Sequence, residues 1–232
     1  MSRLVAALIR HGDYHQLKDT PSAYQPFPLN KNGEQQSRQL ATKITNVLAE
    51  QQWTLAEQID SSNLLRAYQT AALLKQQLTL PNLKHCGFDV LAERSVGASC
   101  ANLTNTQIMD VLRQDPRYPE LPEDWKSNSY FSLPFEGAES LLDAGKRVAT
   151  HLNLSMSAMR FFCKQDTLKV FVGHGAAFRH AAHHLGILEF DDIAKLSMYH
   201  CEPVYLELLP NNRWQHIAGG WKVREKQNQY TD

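Results

Sequence analysis

An α/β fold built on a mostly parallel sheet is the class this sequence predicts, and three observations carry the prediction. Leu4-Val5-Ala6-Ala7-Leu8-Ile9 is an unbroken run of apolar residues, the mark of a strand covered on both faces. Leu168-Lys169-Val170-Phe171-Val172 offers a second such strand late in the chain. Between them, short strand candidates alternate with segments of helical period, the order that crossover units require. Both long strands stop at a histidine bordered by glycine, in Arg10-His11-Gly12 and Gly173-His174-Gly175. Ligands of such sheets bind at the carboxyl ends of the strands, where these residues fall.

The 232 residues suffice for one α/β domain spanning 1–232, with a lid or insertion at about 94–136. An apolar content of 43% with 21% charged residues fits a globular protein and sets aside disordered and fibrous classes. The 24 basic and 24 acidic residues cancel, so no long-range field steers the chain onto nucleic acid or an anionic membrane. A local basic pocket for a small anion remains open. Leu4 to Ile9 is too short to cross a bilayer or to serve as the apolar region of a signal peptide. Cys86, Cys100, Cys163 and Cys201 form no CxxC pair, which points to reduced thiols in a cytoplasmic protein without structural zinc.

The elements follow in order. Asp13 to Leu29 carries Pro21, Pro26 and Pro28 and reads as an irregular loop over the end of the first strand. From a cap at Asn30 or Asn32, Leu40, Ile44, Val47 and Leu48 recur at helical spacing to about Gln51, giving the first crossover helix. Gln58 to Ser62 is a short strand, followed from Asn63 by a helix with Ala67, Ala71, Leu74 and Leu78 on one face. Arg66 lies in the first turn of that helix, so its guanidinium can point back to the sheet edge that holds His11. Gly87 to Leu91 offers another strand, with Glu93 just beyond it. Helical spacing returns at Leu103, Ile108, Val111 and Leu112 and stops at Asp115-Pro116. Pro116 to Phe135 interleaves prolines with Trp125, Tyr130, Phe131 and Phe135 and reads either as a lid or insertion whose open rim offers aromatic contacts to a substrate or as a surface loop anchored by its aromatics.

Glu136-Gly137-Ala138-Glu139-Ser140 opens a long helix with Leu141, Val148, Leu152 and Met159 on one face, in which Gly145 costs roughly 1 kcal/mol relative to alanine. After the strand ending at Gly173, a helix runs from about Ala177 to Leu185 and stops at Gly186. His180, His183 and His184 on it have metal-ligand spacing but no accompanying HExxH glutamate, and no metal is expected. Pro203 to Leu209 and Trp214 to Ala218 form a hairpin around Asn211-Asn212, and Lys222 to Asp232 reads as a polar tail.

Two histidines, two arginines and a glutamate thus stand at separate strand ends of one inferred sheet. Their order resembles the histidine phosphatase superfamily, also called the phosphoglycerate mutase-like family. The matching motifs are Arg10-His11-Gly12, Ser62-x-x-x-Arg66-Ala67-x-Gln69-Thr70-Ala71, Leu91-x-Glu93-Arg94-x-x-Gly97, Gly137-x-Glu139-Ser140 and Gly173-His174-Gly175. The resemblance implies a three-layer αβα sandwich with a mostly parallel central sheet. It implies His11 as the phosphoryl-accepting nucleophile, Arg10, Arg66 and His174 around the phosphoryl oxygens, and Glu93 as general acid and base. Phosphoryl transfer asks mainly for in-line positioning and charge neutralisation, which arginine forks and imidazoles supply without a metal or cofactor.

Two departures from the family pattern bear on the substrate. Where many members place Thr and then a phosphate-contacting Asn after the first glycine, this chain has Tyr14 and Leu17. The segment after Gly97 reads Ala98-Ser99-Cys100-Ala101 rather than an aromatic or aliphatic residue and a further glycine. Tyr14 and Arg94 are candidate substrate-binding residues. The expected activity is metal-independent hydrolysis of a phosphorylated small molecule or phosphoprotein. The alternatives are a cofactor-dependent phosphoglycerate mutase, favoured by Glu93-Arg94 and Glu139-Ser140-Leu141, and a phospho-ligand-binding protein of slow turnover.

Overall fold

The structure, a computed structural model, describes residues 2–21, 24–78, 80–118 and 121–224. Along the chain run β1 (Leu4–Arg10), α1 (Lys31–Gln51), β2 (Thr54–Leu55), β3 (Gln58–Ser62), α2 (Leu65–Leu78), β4 (Lys84–Phe88), α3 (Asn105–Gln114), α4 (Leu141–Met159), β5 (Thr167–Gly173) and α5 (Gly175–His184). They are followed by α6 (Phe190–Ile193), β6 (Leu196–Ser197), β7 (Val204–Leu208), β8 (Trp214–Ala218) and β9 (Lys222–Val223). Seven strands form one sheet in the order β4-β3-β5-β1-β7-β8, with β2 also paired to β5. The pairs β1–β5, β2–β5, β3–β5 and β3–β4 are parallel, and β7 and β8 close the far side antiparallel.

Side-chain alternation along β1 explains the layers. Leu4, Ala6 and Leu8 face α4 and α5 and join a core with Val148, Leu152, Ala177, Phe178 and Ala181. Val5, Ala7 and Ile9 face α1 and α2 and pack with Leu40, Ile44, Ala67, Ala71 and Leu74. A strand buried on both faces must be apolar at every position, which is why its sequence shows no alternation. The lysine inside β5 has its own reason. Lys169 Nζ lies 2.9 Å from Asp60 Oδ1, and His151 Nε2 lies 2.9 Å from the other oxygen of that buried carboxylate. Burial pushes the Asp60 carboxyl up, but His151, Lys169 and Gln58 outweigh it and hold the group below its ordinary value.

Helix starts follow side-chain capping. Asn30, rather than Asn32, caps α1 by accepting from the Gly33 N–H. Thr104 with Gln107 and Ser140 with Asp143 form capping boxes that start α3 and α4. Gly145 has a packing role: a Cβ there would stand 2.4 Å from His180 Cβ, so α4 and α5 approach each other through this residue.

Several boundaries differ from expectation. The edge strand is Lys84–Phe88 rather than Gly87 to Leu91, because it pairs in parallel with β3 from Gln58↔Lys84 to Ser62↔Phe88. Asp89–Leu91 is a 3-10 turn that drops Leu91 into the core and leaves Val90 exposed. Helix α2 starts at Leu65, since Asn63 turns outward to donate to Asp89. Lys222–Val223, read as tail, pairs antiparallel with Leu196–Ser197, while residues 225–232 lie outside the described residues. The aromatics after Pro116 do not form an open rim. Trp125 and Leu133 are buried with Val96, Cys100, Ile108 and Leu112 in a separate apolar cluster, against which Phe131 and Phe135 pack, and of those four aromatics only Tyr130 is exposed.

Candidate active site

Register brings the two histidine motifs together. The parallel β1–β5 pairing sets Arg10 beside Gly173, and the His11 N–H donates to the Gly173 carbonyl at 3.0 Å. The rings of His11 and His174 are therefore 5.1 Å apart at the carboxyl edge of the sheet. From β3, one strand further, Ser62 and the first turn of α2 reach the same edge. Arg66 is 1% exposed and joins all of them. Its Nε donates to His11 Nε2 at 3.2 Å, its Nη2 lies 3.2 Å from His174 Nδ1, and its Nη1 donates to the Gln25 carbonyl at 3.1 Å.

Hydrogen bonding assigns the tautomers, because a guanidinium only donates. His11 Nδ1 carries the proton and donates to the Gly12 carbonyl at 2.8 Å, leaving the Nε2 lone pair to accept from Arg66 Nε. In His174 the lone pair is on Nδ1, and Nε2–H donates to Ser62 Oγ at 3.0 Å. Burial pushes both imidazoles well below their ordinary pKa, and the neighbouring Arg66 charge adds to it. Both rings are thus neutral at pH 7. Burial also lowers the Arg66 guanidinium, opposed by Tyr14 and the Glu93 carboxylate.

Surrounding side chains fix this geometry. Thr70 Oγ1 accepts from the Gly12 N–H at 3.0 Å and donates to the Arg66 carbonyl at 2.8 Å, while Gln69 accepts from the Leu29 N–H of the overlying loop. These contacts account for two of the polar residues that follow Arg66 in its motif. Tyr14 meets the His11 ring edge-on at 5.3 Å and lies 4.7 Å beneath the Arg66 guanidinium. Arg10 donates through Nη1 to the Met198 carbonyl, and its Nε is buried without a hydrogen-bond partner among the described residues. That Nε sits against Gly175, where a Cβ would stand 3.3 Å from Arg10 Cδ.

Glu93 lies at the N-terminal end of α5. Its carboxylate accepts from the N–H groups of Arg94 (2.9 Å), Ala177 (3.1 Å) and Ala176 (3.3 Å), at the positive end of the helix that His174 precedes. Arg94 is also buried, with its guanidinium 5.8 Å from the Trp125 ring. The structure therefore gathers Arg10, His11, Tyr14, Arg66 and His174 in one contact network and sets Glu93 and Arg94 beside it.

Four contributors escaped sequence reasoning. Ser62 and Gln25 hold His174 and Arg66 as described. His200 Nδ1 lies 2.5 Å from the His11 carbonyl, and burial with the Arg10 charge pushes its pKa down to about 4. Arg147 donates to the Glu93 carbonyl at 3.0 Å and forks onto Glu139, whose Oε1 also accepts from the Ser95 N–H. Of the four only Ser62 carried a signal, as a member of a quoted motif, as did the Glu139 that Arg147 holds. The histidines at 180, 183 and 184 bond instead to Ser129 and the carbonyls of Ala176, Leu188 and Leu142.

A model of the histidine phosphatase superfamily (branch 1) matches residues 6–217. No curated protein matches the chain in sequence. Among solved structures, the chain is similar to a mycobacterial glucosyl-3-phosphoglycerate phosphatase complexed with VO3, at 23% identity over 97% of this chain and 100% of that one, with a TM-score of 0.64. It is similar to the alpha-ribazole phosphatase of Shigella flexneri at 16% identity, 97% and 100% coverage and a TM-score of 0.68. A phosphoglycerate mutase from Bacillus anthracis matches at 15% identity, 94% and 92% coverage and a TM-score of 0.69. At these identities the likeness is one of fold, the phosphoglycerate mutase-like sandwich.

Proposed function

The chain belongs to the histidine phosphatase superfamily, branch 1, and on that premise we propose that it hydrolyses phosphomonoesters through a phosphohistidine formed on His11. The observation that carries this reading is the locked tautomer of His11: with Nδ1–H committed to the Gly12 carbonyl, the Nε2 lone pair faces Arg66 and His174. An imidazole held neutral among fixed positive charge is a nucleophile matched to a phosphate dianion.

In the first step, with Glu93 in its carboxylic-acid form, His11 Nε2 attacks phosphorus, the ester P–O bond breaks, and the leaving oxygen takes the Glu93 proton, leaving the carboxylate. In the second, water attacks phosphorus, returns a proton to Glu93 and breaks the P–N bond. Arg66 and Arg10, whose buried Nε lacks an acceptor among the described residues, neutralise the phosphoryl oxygens throughout. Bound phosphate also reverses the electrostatics around His174, which can then take a proton and donate from Nδ1. The solved phosphatases of this fold that are named for glucosyl-3-phosphoglycerate and alpha-ribazole favour a small-molecule ester over a phosphoprotein.

The test is p-nitrophenyl phosphate hydrolysis in EDTA. The wild-type protein should turn over without bisphosphoglycerate stimulation, and His11→Ala should lose at least about 10³-fold in kcat/KM. Near wild-type turnover of His11→Ala would refute the mechanism. Bisphosphoglycerate priming, with interconversion of monophosphoglycerates faster than hydrolysis, would establish the mutase alternative.

A further inference from the structure

Ser62 closes β3, and its hydroxyl meets the histidine at the end of the neighbouring strand. The parallel β3–β5 register sets Ser61 beside Val172, so Ser62 falls next to the Gly173-His174 end of β5. Its Oγ accepts from the Leu64 N–H at 3.1 Å and from His174 Nε2–H at 3.0 Å. A hydroxyl oxygen has two lone pairs, and these two donors occupy both. The Leu64 bond ties the hydroxyl to the turn that starts α2, the helix that also carries Arg66. Ser62 and His174 are 0% and 1% exposed, so bulk water does not compete for the contact.

Phosphoryl binding changes the charge that this hydroxyl faces. Burial keeps the His174 ring neutral, and the cations around it, Arg66 of α2, Arg147 of α4 and Arg10 of β1, add to the effect. His11 beside it is also neutral, and the Glu93 carboxylate is bonded to the N–H groups of Ala176 and Ala177 in the first turn of α5. A phosphate dianion held by Arg66 and Arg10 offsets those cations, so Nδ1 takes a proton from solvent or from the monoanionic ester and donates it to a phosphoryl oxygen. The proton on Nε2 then needs a buried acceptor, and Ser62 Oγ is the one it meets among the described residues. A hydrogen bond to a charged group is worth about twice a neutral one, so this contact strengthens as the ring charges. A carboxylate in the same place would charge the ring before substrate bound, whereas a hydroxyl leaves it neutral until the phosphoryl group arrives.

We propose that Ser62 is a positioning residue for the reaction: by accepting from Nε2–H it orients the His174 ring and holds it as an imidazolium against the phosphoryl oxygens. This rests on the phosphatase reading above. In p-nitrophenyl phosphate hydrolysis by the full chain, Ser62→Ala should lower kcat roughly tenfold or more, with a smaller change in KM. In a His174→Ala background the same substitution should cost less than about twofold, because the group it acts through is gone. Ser62→Cys keeps the volume but offers only a weak acceptor, so it should follow Ser62→Ala, and it carries the test should the alanine variant not fold. A second measurement needs no turnover: heteronuclear NMR titration of His174 in saturating sulfate, its signal assigned by loss in His174→Ala. Both Ser62 variants should lower the imidazolium pKa there by roughly one pH unit or more. Equal kcat losses with and without His174, wild-type kcat in Ser62→Cys, or an unshifted His174 titration would each overturn the role of Ser62 while leaving the phosphatase reading intact. Failure of the wild-type protein to hydrolyse p-nitrophenyl phosphate would overturn that reading, and the role of Ser62 in it.

Discussion

His11 and His174 sit 5.1 Å apart with their protons on different nitrogens, and Arg66 imposes the difference by donating to one lone pair on each. Both rings, and His200 at about 4, have pKa values below the 6.5 of an unfolded histidine. The sign follows from linkage: below pH 6.5 the unfolded chain binds protons that the folded chain does not, so stability is full above 6.5 and is lost as pH falls toward the folded values. His200 alone contributes roughly 3 kcal/mol of such loss by pH 4. A bound dianion favours the protonated rings and opposes the loss. Melting temperature should therefore fall from pH 6.5 to 4, and the increment given by sulfate, dianionic throughout, should grow over the same interval. A sulfate increment independent of pH would contradict buried neutral histidines at an anion site. Arg10, His11, Arg66 and His174 drew notice in the sequence because each stands at or just past the end of a strand, and Glu93 because it belongs to the motif Leu91-x-Glu93-Arg94. Gln25, Arg147 and His200 were not, because they reach the site only through tertiary contacts of segments with no local signature.

At the scale of elements, α5 carries the most consequence. Its first turn follows His174, its N–H groups bind Glu93, and its middle packs on α4 at Gly145. Helix propensity alone predicts that Gly145→Ala stabilises α4 by up to about 1 kcal/mol. The 2.4 Å approach of a Cβ to His180 Cβ reverses the sign, since backbone of α5 also lies within 2.6 Å and cannot yield without shifting Glu93's donors. Gly145→Ala should destabilise by roughly 1–3 kcal/mol in denaturant unfolding, and should lower kcat as well. A stabilised, fully active variant would show that the helices are free to separate. The glycine was visible in the sequence only as a propensity cost, because its partner lies on another helix. Periodicity likewise marked the long helices and the central strands. It misplaced β4, an edge strand of mixed polarity, where the apolar Val90-Leu91 pair belongs to the turn that follows.

Over the whole molecule, the parallel β1–β5 register turns two motifs more than 160 residues apart into one site, as Arg10 falls beside Gly173. The same sheet buries Asp60 with Lys169 and His151 beneath it, which is why a lysine interrupts an otherwise apolar strand. The sheet class was legible from β1 and β5. The aromatics around Trp125 were legible only as either a lid or an anchored loop, and the anchored loop holds, since they pack with Val96, Ile108 and Leu112 across a turn-rich segment without a period. That His11, with its Nε2 lone pair turned toward Arg66, rather than His174 is the phosphoryl acceptor has a direct test. The Glu93→Gln protein, in which breakdown of the intermediate is slowed, is incubated with p-nitrophenyl phosphate, quenched in alkali to preserve phosphohistidine, digested and sequenced by mass spectrometry. The account predicts one acid-labile phosphoryl group on the peptide containing His11; label on His174, a serine or an aspartate, or no label during turnover, would contradict it.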